Sequence, residues 1–128
     1  MTILTLAAAL AAQALPAPGA VFWEPVSEDS GGRYSIDPAS LVRDGDRVRF
    51  LMRAFAARAE ADGVDSAVVR YVIDCRRRAS ATLAADFYRG EAFAHSRETD
   101  AAAVERQLDR GFSGEDQLIR RVCPPVRP

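Results

Sequence analysis

The stretch "AVVRYVIDC", residues 67–75, is the part of the chain that decides the fold. It is rich in β-branched and aromatic residues, which favour a β-strand, and it contains no glycine or proline. Because side chains in a strand point alternately to opposite faces, every second residue from Ala67 to Cys75 shares one face. Cys75 therefore points the same way as Tyr71, towards the predicted core, while Arg70 takes the opposite face.

A second alternating strand precedes it, within residues 41–54, which begin "LVRDGDRVRF". The pair Asp44-Gly45 predicts a type I′ hairpin turn. Beyond this turn, every second residue from Val48 to Ala54 is apolar, and most of the residues between them are arginines. One buried face and one wet face are typical of an antiparallel sheet. The side chains on the predicted wet face are Arg47, Arg49, Leu51 and Arg53.

Four further segments have the composition of short strands. They are "VFWEPV" (21–26), "RYSI" (33–36), "ASATLAADFY" (79–88) and "AFAHS" (92–96). Leu83 and Phe87 are four positions apart, so we expect both side chains on one face of their strand. Arg89-Gly90 predicts a tight turn into the last of these strands.

The C-terminal part of the chain has helical character. Residues 99–108, "TDAAAVERQL", fit a short helix or a loop, and the sequence does not decide between them. In residues 113–125, Ser113 with Asp116 resembles a capping box, and two prolines end the segment. Its apolar residues have helical spacing, so we expect a short helix with Cys123 on its inward face. These residues are Leu118, Ile119, Val122 and Cys123.

The first twenty residues carry no charged side chain, and residues 3–12 form an apolar core of signal-peptide length. "AQA" predicts cleavage after Ala14, and "PGA" predicts cleavage after Ala20. We therefore assign residues 1–20 to a signal peptide and residues 21–128 to a single domain. No later stretch is long enough to span a membrane. We expect a periplasmic, cell-surface or secreted protein.

Export would place both cysteines of the chain in an oxidising compartment. Cys75 and Cys123 are then expected to pair with each other. Such a bond would fasten the C-terminal helix to one face of the sheet. The chain-entropy gain for a loop of about fifty residues is roughly 4 kcal/mol.

The charges of the chain nearly balance, with a formal net charge of −1. This balance argues against nucleic-acid binding, which usually needs a basic excess. All basic residues other than His95 are arginines, and several of them form a stripe that could bind an acidic polymer, a lipid headgroup or an acidic protein patch. The alternative is a wet sheet face with cross-strand ion pairs. The candidate binding residues are Arg49, Arg70, Arg76, Arg77 and Arg78.

The sequence offers no coherent catalytic or metal site. His95 is the single histidine, and no "GxSxG" nucleophile motif is present. Zinc needs three or four good ligands, which one histidine and two distant cysteines do not supply. Glu60, Asp62 and Asp65 lie close together, but they lack the calcium spacing of an EF-hand and fit a solvated turn. We expect no enzyme activity, no metal and no cofactor.

The order of these features resembles the surface-adhesin protein E-like family of small bacterial envelope proteins. The resemblance covers residues 21–125, and it depends on the order and spacing of short motifs. These motifs are "FWEPV", "YSIDPASLVRDGDRVRF", "RYVIDCRRR", "DFYRGEAF" and "LIRRVCPP".

The resemblance implies an α+β fold that is mainly β. It predicts an antiparallel sheet of about six strands, with a short C-terminal helix tethered to one face by the disulfide. It also implies an exported, non-enzymatic module that binds a protein, either a host matrix protein or an envelope component, and it leaves homodimer formation open. The alternatives are an accessory subunit of an envelope complex and a small periplasmic inhibitor.

Overall fold

The computed structural model describes residues 14–111 and 116–125. Its centre is a seven-stranded antiparallel sheet with the strand order β1-β2-β4-β5-β6-β7, in which the short β3 pairs with β4. The strands are β1 (Glu24–Asp29), β2 (Gly32–Ile36), β3 (Val42–Asp44), β4 (Arg47–Ala56), β5 (Ser66–Asp74), β6 (Ala79–Arg89) and β7 (Ala92–Glu98). Two helices follow, α1 (Ala101–Asp109) and α2 (Asp116–Val122). The mainly β, α+β fold is confirmed, with one strand more than the expected six.

The first face of the sheet carries the larger core, and α2 covers it. Alternate residues of β4 and β5 are buried there, including Phe50 and Tyr71, whose rings meet edge to face at 5.9 Å. The predicted apolar stripe of α2 packs against them, with Leu118, Ile119 and Val122 almost fully buried. Cys75 and Cys123 form the expected disulfide, with their Cα atoms 5.6 Å apart.

The alternation in β4 suggested that the second face of the sheet is wet, but part of this face is covered. Helix α1 packs across β5 and β6, and its Val104 and Leu108 bury Val72 and Ala81. The residues next to Val72 on β5 are also buried, so β5 is buried on both faces over almost its whole length. On β4 the predicted wet face is correct for Arg47, Arg49 and Leu51, which are exposed or half-buried, and wrong for Arg53, which is buried.

A β-bulge changes the predicted phase of β6. Arg70 pairs with Ala84 and the next residue, Tyr71, pairs with Thr82, so one extra residue of β6 lies between them. Leu83 consequently packs under α1 on the second face, whereas Phe87 joins the first. The expectation that Leu83 and Phe87 share a face is therefore wrong.

The hairpin between β3 and β4 has a different turn type from the one expected. Asp44 pairs with Arg47, so the two loop residues are Gly45 and Asp46. Gly45 has φ +63°, and Asp46 is not among the residues with positive φ. A type I′ turn needs positive φ at both loop residues, so this arrangement fits type II′, with glycine first.

Both helices have their ends tied to neighbouring groups. The Asp100 carboxylate accepts a hydrogen bond of 2.8 Å from the Ala103 N–H, which caps the start of α1 and shows that this segment is a helix. At the end of α2, Arg43 donates to the Val122 carbonyl at 2.7 Å. The predicted cap at Ser113 lies outside the described residues. Within the described ranges, neither helix has the length and apolar character needed to cross a bilayer.

Candidate binding groove

A groove of about 1200 Å³ lies on the part of the second face that α1 leaves uncovered. Its floor is formed by β4, β5 and β6, and it extends to β3 on one side and β7 on the other. Val42 on β3 and Phe93 on β7 are large apolar residues that remain about half exposed, at 49% and 56%. We call this feature the open groove. Its described lining includes Val42, Arg49, Leu51, Arg70, Leu83, Asp86, Phe93 and Glu98.

Two of the candidate arginines lie in the open groove on neighbouring strands. Arg49 of β4 is opposite Val72, and Arg70 of β5 is opposite Leu51, so the arginines are diagonal neighbours on one face. Side chains in this relation are within reach of a common ligand. The pair therefore forms a positively charged region on a partly apolar floor.

The other side of the open groove carries both signs of charge, because Arg97 lines it together with Asp86 and Glu98. Asp86 and Glu98 lie on β6 and β7, and the Asp86 carboxylate accepts a 2.7 Å hydrogen bond from the Ser96 hydroxyl. The groove thus carries two arginines on its β4–β5 side and charges of both signs on its β6–β7 side, an arrangement that would orient a bound segment as well as attract it.

The remaining candidate arginines lie elsewhere, in the turn between β5 and β6. The Asp74 carboxylate accepts the backbone N–H groups of Arg76 and Arg77 at 3.1 Å each, which builds the turn. Arg76 is largely exposed, and its guanidinium lies 3.5 Å from Asp46. Arg77 donates to Asp109 of α1 at 2.7 Å. Of the five candidates, the open groove contains Arg49 and Arg70 but not Arg76, Arg77 or Arg78.

Helix α1 supplies acidic partners for part of the arginine stripe. Arg47 donates two hydrogen bonds to the Glu105 carboxylate, at 2.8 and 2.7 Å. This hydrogen bonding holds the pKa of Glu105 below its ordinary value and raises the pKa of Arg47. This pair joins the sheet to a helix, whereas the sequence interpretation expected pairs between strands; the cross-strand contact of Arg47 is with Asp74, at 3.7 Å. The acidic spacing of Glu105 and Asp109, one helical turn apart, is the sequence signal for the pair with the helix.

Arg53 has a different environment, since it is 93% buried and packs between aromatic rings. Its guanidinium lies 4.7 Å from the centre of Phe55 and 5.3 Å from that of Tyr88. One terminal nitrogen donates to the Ser66 hydroxyl at 3.0 Å, and the other has no partner among the described residues. Burial lowers the pKa of this guanidinium.

Sequence reasoning missed the aromatic neighbours of this arginine. Phe55 also contacts a second arginine, because the Arg33 guanidinium lies 4.7 Å from its ring centre. The other aromatic neighbour of Arg53, Tyr88, meets Phe93 edge to face at 5.9 Å. Cationic and aromatic side chains therefore alternate from Arg33 on β2 to Tyr88 on β6, and the aromatic Phe93 of β7 follows. Alternation within β4 and β7 could have placed Phe55 and Phe93 there, but their cross-strand neighbours depend on register.

The histidine and the acidic turn residues singled out in the sequence make contacts that stabilise the local structure. His95 is exposed and stacks on Phe87 at 4.7 Å between ring centres. Asp62 and Asp65 each accept a backbone N–H, from Val64 and Gly90 respectively, so these carboxylates shape their turns. Across residues 14–111 and 116–125, no three histidine, cysteine or acidic side chains are grouped as a metal site would require.

Comparison with known proteins identifies the fold's relatives. The family model of surface-adhesin protein E matches residues 23–123, a range that contains the sheet, both helices and the disulfide. A search of curated proteins and a search of solved structures each found no match. The family match covers far more than half of the 128 residues. The chain therefore belongs to the surface-adhesin protein E family.

Proposed function

We propose that this protein is an exported, non-enzymatic, adhesin-like module that binds a protein partner through the open groove. The observation that supports this most directly is the placement of Arg49 and Arg70 side by side on an uncovered sheet face. Family membership supports the adhesin-like character, and the uncovered arginines and exposed apolar residues supply a surface with which to bind.

The groove's chemistry favours an extended protein segment with acidic and apolar side chains. Acidic side chains would pair with Arg49 and Arg70, and guanidinium groups bind carboxylates in a well-defined fork geometry. Apolar side chains would contact Val42 and Phe93, which are exposed on opposite sides of the groove. Aromatic and apolar residues of this kind are enriched at protein interfaces.

The test compares two pairs of arginine substitutions that remove the same charge. Immobilised matrix and serum proteins, and a bacterial envelope extract, are assayed against the wild-type protein, Arg49→Ser/Arg70→Ser and Arg76→Ser/Arg77→Ser. We expect loss of about tenfold or more in affinity for the groove variant, because buried charge contacts at an interface are worth over 1 kcal/mol. The turn variant should bind as the wild type does.

Equal loss in both variants would indicate that net charge, and not the groove, governs binding, and would overturn the proposal. Retained binding in the groove variant would also overturn it. Binding to the envelope extract alone would indicate an accessory subunit in place of an adhesive module.

A further inference from the structure

We infer that the mature protein begins at Leu15 and that Leu15 and Pro16 form one wall of the open groove. This assigns the cleavage to the bond after Ala14. It also moves the start of the domain from residue 21, as assigned from the sequence, to residue 15. The segment of residues 15–20 is thereby part of the mature protein and not part of the removed leader.

The first support is a hydrogen bond that crosses the boundary between the segment and the sheet. The indole N–H of Trp23 donates to the Pro18 carbonyl at 2.8 Å, and Trp23 is half-buried. Indole N–H groups that are withdrawn from water usually have a partner. Cleavage after Ala20 would remove this acceptor, whereas cleavage after Ala14 retains it.

The second support is that the segment has a defined shape. Residues Pro18–Ala20 form a turn of 3-10 helix, in which the Ala20 N–H donates to the Ala17 carbonyl at 3.0 Å. Pro16 and Pro18 restrict the backbone, so little conformational entropy remains to be lost when the segment docks.

The third support is position. Ala14, Leu15 and Pro16 all line the open groove, and Leu15 and Pro16 are half-buried. The side chains of Leu15 and Pro16 would complete an apolar wall beside Arg49 and Phe93, which line the same groove.

Cleavage after Ala14 would also create a new charge in the groove. The α-amino group of Leu15 would be positive, and the groove already contains the carboxylates of Asp86 and Glu98. The same groove is also lined by Arg49, Arg70 and Arg97, so the new amine would join a lining of mixed charge. The processed groove would therefore differ in charge from the groove of the precursor.

The first experiment is an intact-mass measurement on the full chain after export by a bacterial host. We expect the mass of residues 15–128 with one disulfide. A mass that corresponds to residues 21–128, or to the uncleaved chain, would overturn the inference.

The second experiment tests the wall in the exported protein with the anionic dye 1-anilinonaphthalene-8-sulfonate, which reports accessible apolar surface. The variant Leu15→Ser/Pro16→Ser should change dye fluorescence by about twofold, because it removes apolar contacts from the groove. The control Ala17→Ser alters an exposed residue of the same segment and should match the wild type.

Trp23 provides an independent readout because it is the single tryptophan of the chain. Its fluorescence should be shielded from acrylamide in the wild-type protein and in Leu15→Ser/Pro16→Ser, which retains the Pro18 carbonyl. If dye fluorescence is unchanged in this variant, or if Trp23 is fully quenchable, Leu15 and Pro16 do not form a wall of the groove. Neither result depends on whether the groove binds a protein partner.

Discussion

Gly32 lies opposite Ala56, where the backbone of β4 passes close to that of β2. Its φ is +152°, and a Cβ atom at this position would lie 2.1 Å from the Phe55 carbonyl oxygen. Gly45 also has a positive φ, of +63°, but a Cβ atom there would meet nothing within 4 Å. The two glycines share a backbone requirement and differ in the space available.

We expect Gly32→Ala to lower the free energy of unfolding by about 3 kcal/mol or more, because backbone strain and a collision with the neighbouring strand add together. Gly45→Ala, the matched control, should cost about 1 kcal/mol, since it carries the backbone penalty alone. Urea denaturation measures both. Equal costs would show that the approach of β2 to β4 does not restrict residue 32.

The buried guanidinium of Arg53 gives a second prediction at this scale. Ser66→Ala removes the hydroxyl that accepts from Arg53 and should cost about 2 kcal/mol, because a buried charged donor loses its partner. In an Arg53→Met background the same change should cost less than about 0.5 kcal/mol, since no donor remains.

Chemical denaturation of the four proteins completes this double-mutant cycle. The difference between the two Ser66→Ala costs measures the coupling directly. Costs that agree within error would mean that the contact between Arg53 and Ser66 does not contribute to stability.

At the scale of elements, the two helices are attached to the sheet by different combinations of forces. Helix α2 combines a disulfide and three deeply buried apolar side chains with the ion pair of Arg121 and Glu24. Helix α1 has no disulfide and buries two apolar side chains, and its other attachments include the ion pairs of Arg47 with Glu105 and of Arg77 with Asp109. Exposed ion pairs are individually weak and are screened by salt.

We expect Glu105→Gln to change how stability varies with pH. The folded state lowers the pKa of Glu105 from its ordinary value of 4.5, chiefly through the hydrogen bonds from Arg47. The contribution of this carboxylate is therefore fully present above pH 4.5 and is lost as the pH falls through the lowered folded-state pKa.

Urea denaturation between pH 7 and about pH 3 would measure this effect, with Glu91→Gln in the distant β6–β7 turn as the control. The wild-type protein should exceed Glu105→Gln in stability at neutral pH, and the two should converge in acid. A difference that is constant with pH would contradict the role of the Glu105 charge.

The sequence could predict elements better than their contacts. The alternation in β5 and the apolar spacing in residues 118–123 correctly predicted the core face and the C-terminal helix, because both patterns are local. The bulge in β6 could not be predicted from a local pattern because it depends on cross-strand register. The docking of α1 could not be predicted because it depends on tertiary packing. The groove has the same origin, since it is the area that α1 leaves uncovered. Arg49 and Arg70 were candidates, but their separation from Arg76–78 required the fold.

At the scale of the whole molecule, the disulfide closes a loop that contains β6, β7 and both helices. Cys75 and Cys123 are separated by 48 positions, and the bond joins the end of β5 to the residue after α2. The constraint limits the unfolded chain more than it changes the folded one. A domain of this size has a net stability of only about 5–15 kcal/mol, so one such bond is a substantial part of it.

Replacement of both cysteines, as Cys75→Ala/Cys123→Ala, should lower the free energy of unfolding by about 4 kcal/mol, the chain-entropy value for this loop length. Urea denaturation of the wild-type protein with and without a reducing agent provides the comparison. The double variant should be insensitive to the reducing agent. A wild-type protein that is equally stable in both conditions would contradict the structural role of the bond.

The different attachment of the two helices has a consequence for how the molecule responds to its surroundings. A reducing agent acts on the face that α2 covers and leaves the ion pairs of α1 in place. High ionic strength or acid weakens ion pairs of both helices, Arg121 with Glu24 at α2 and Arg47 with Glu105 at α1, and leaves the covalent bond intact. The side that α2 covers thus responds to redox potential as well as to ionic strength and acidity, whereas the ion pairs of α1 respond to ionic strength and acidity alone. The open groove borders the side that α1 covers.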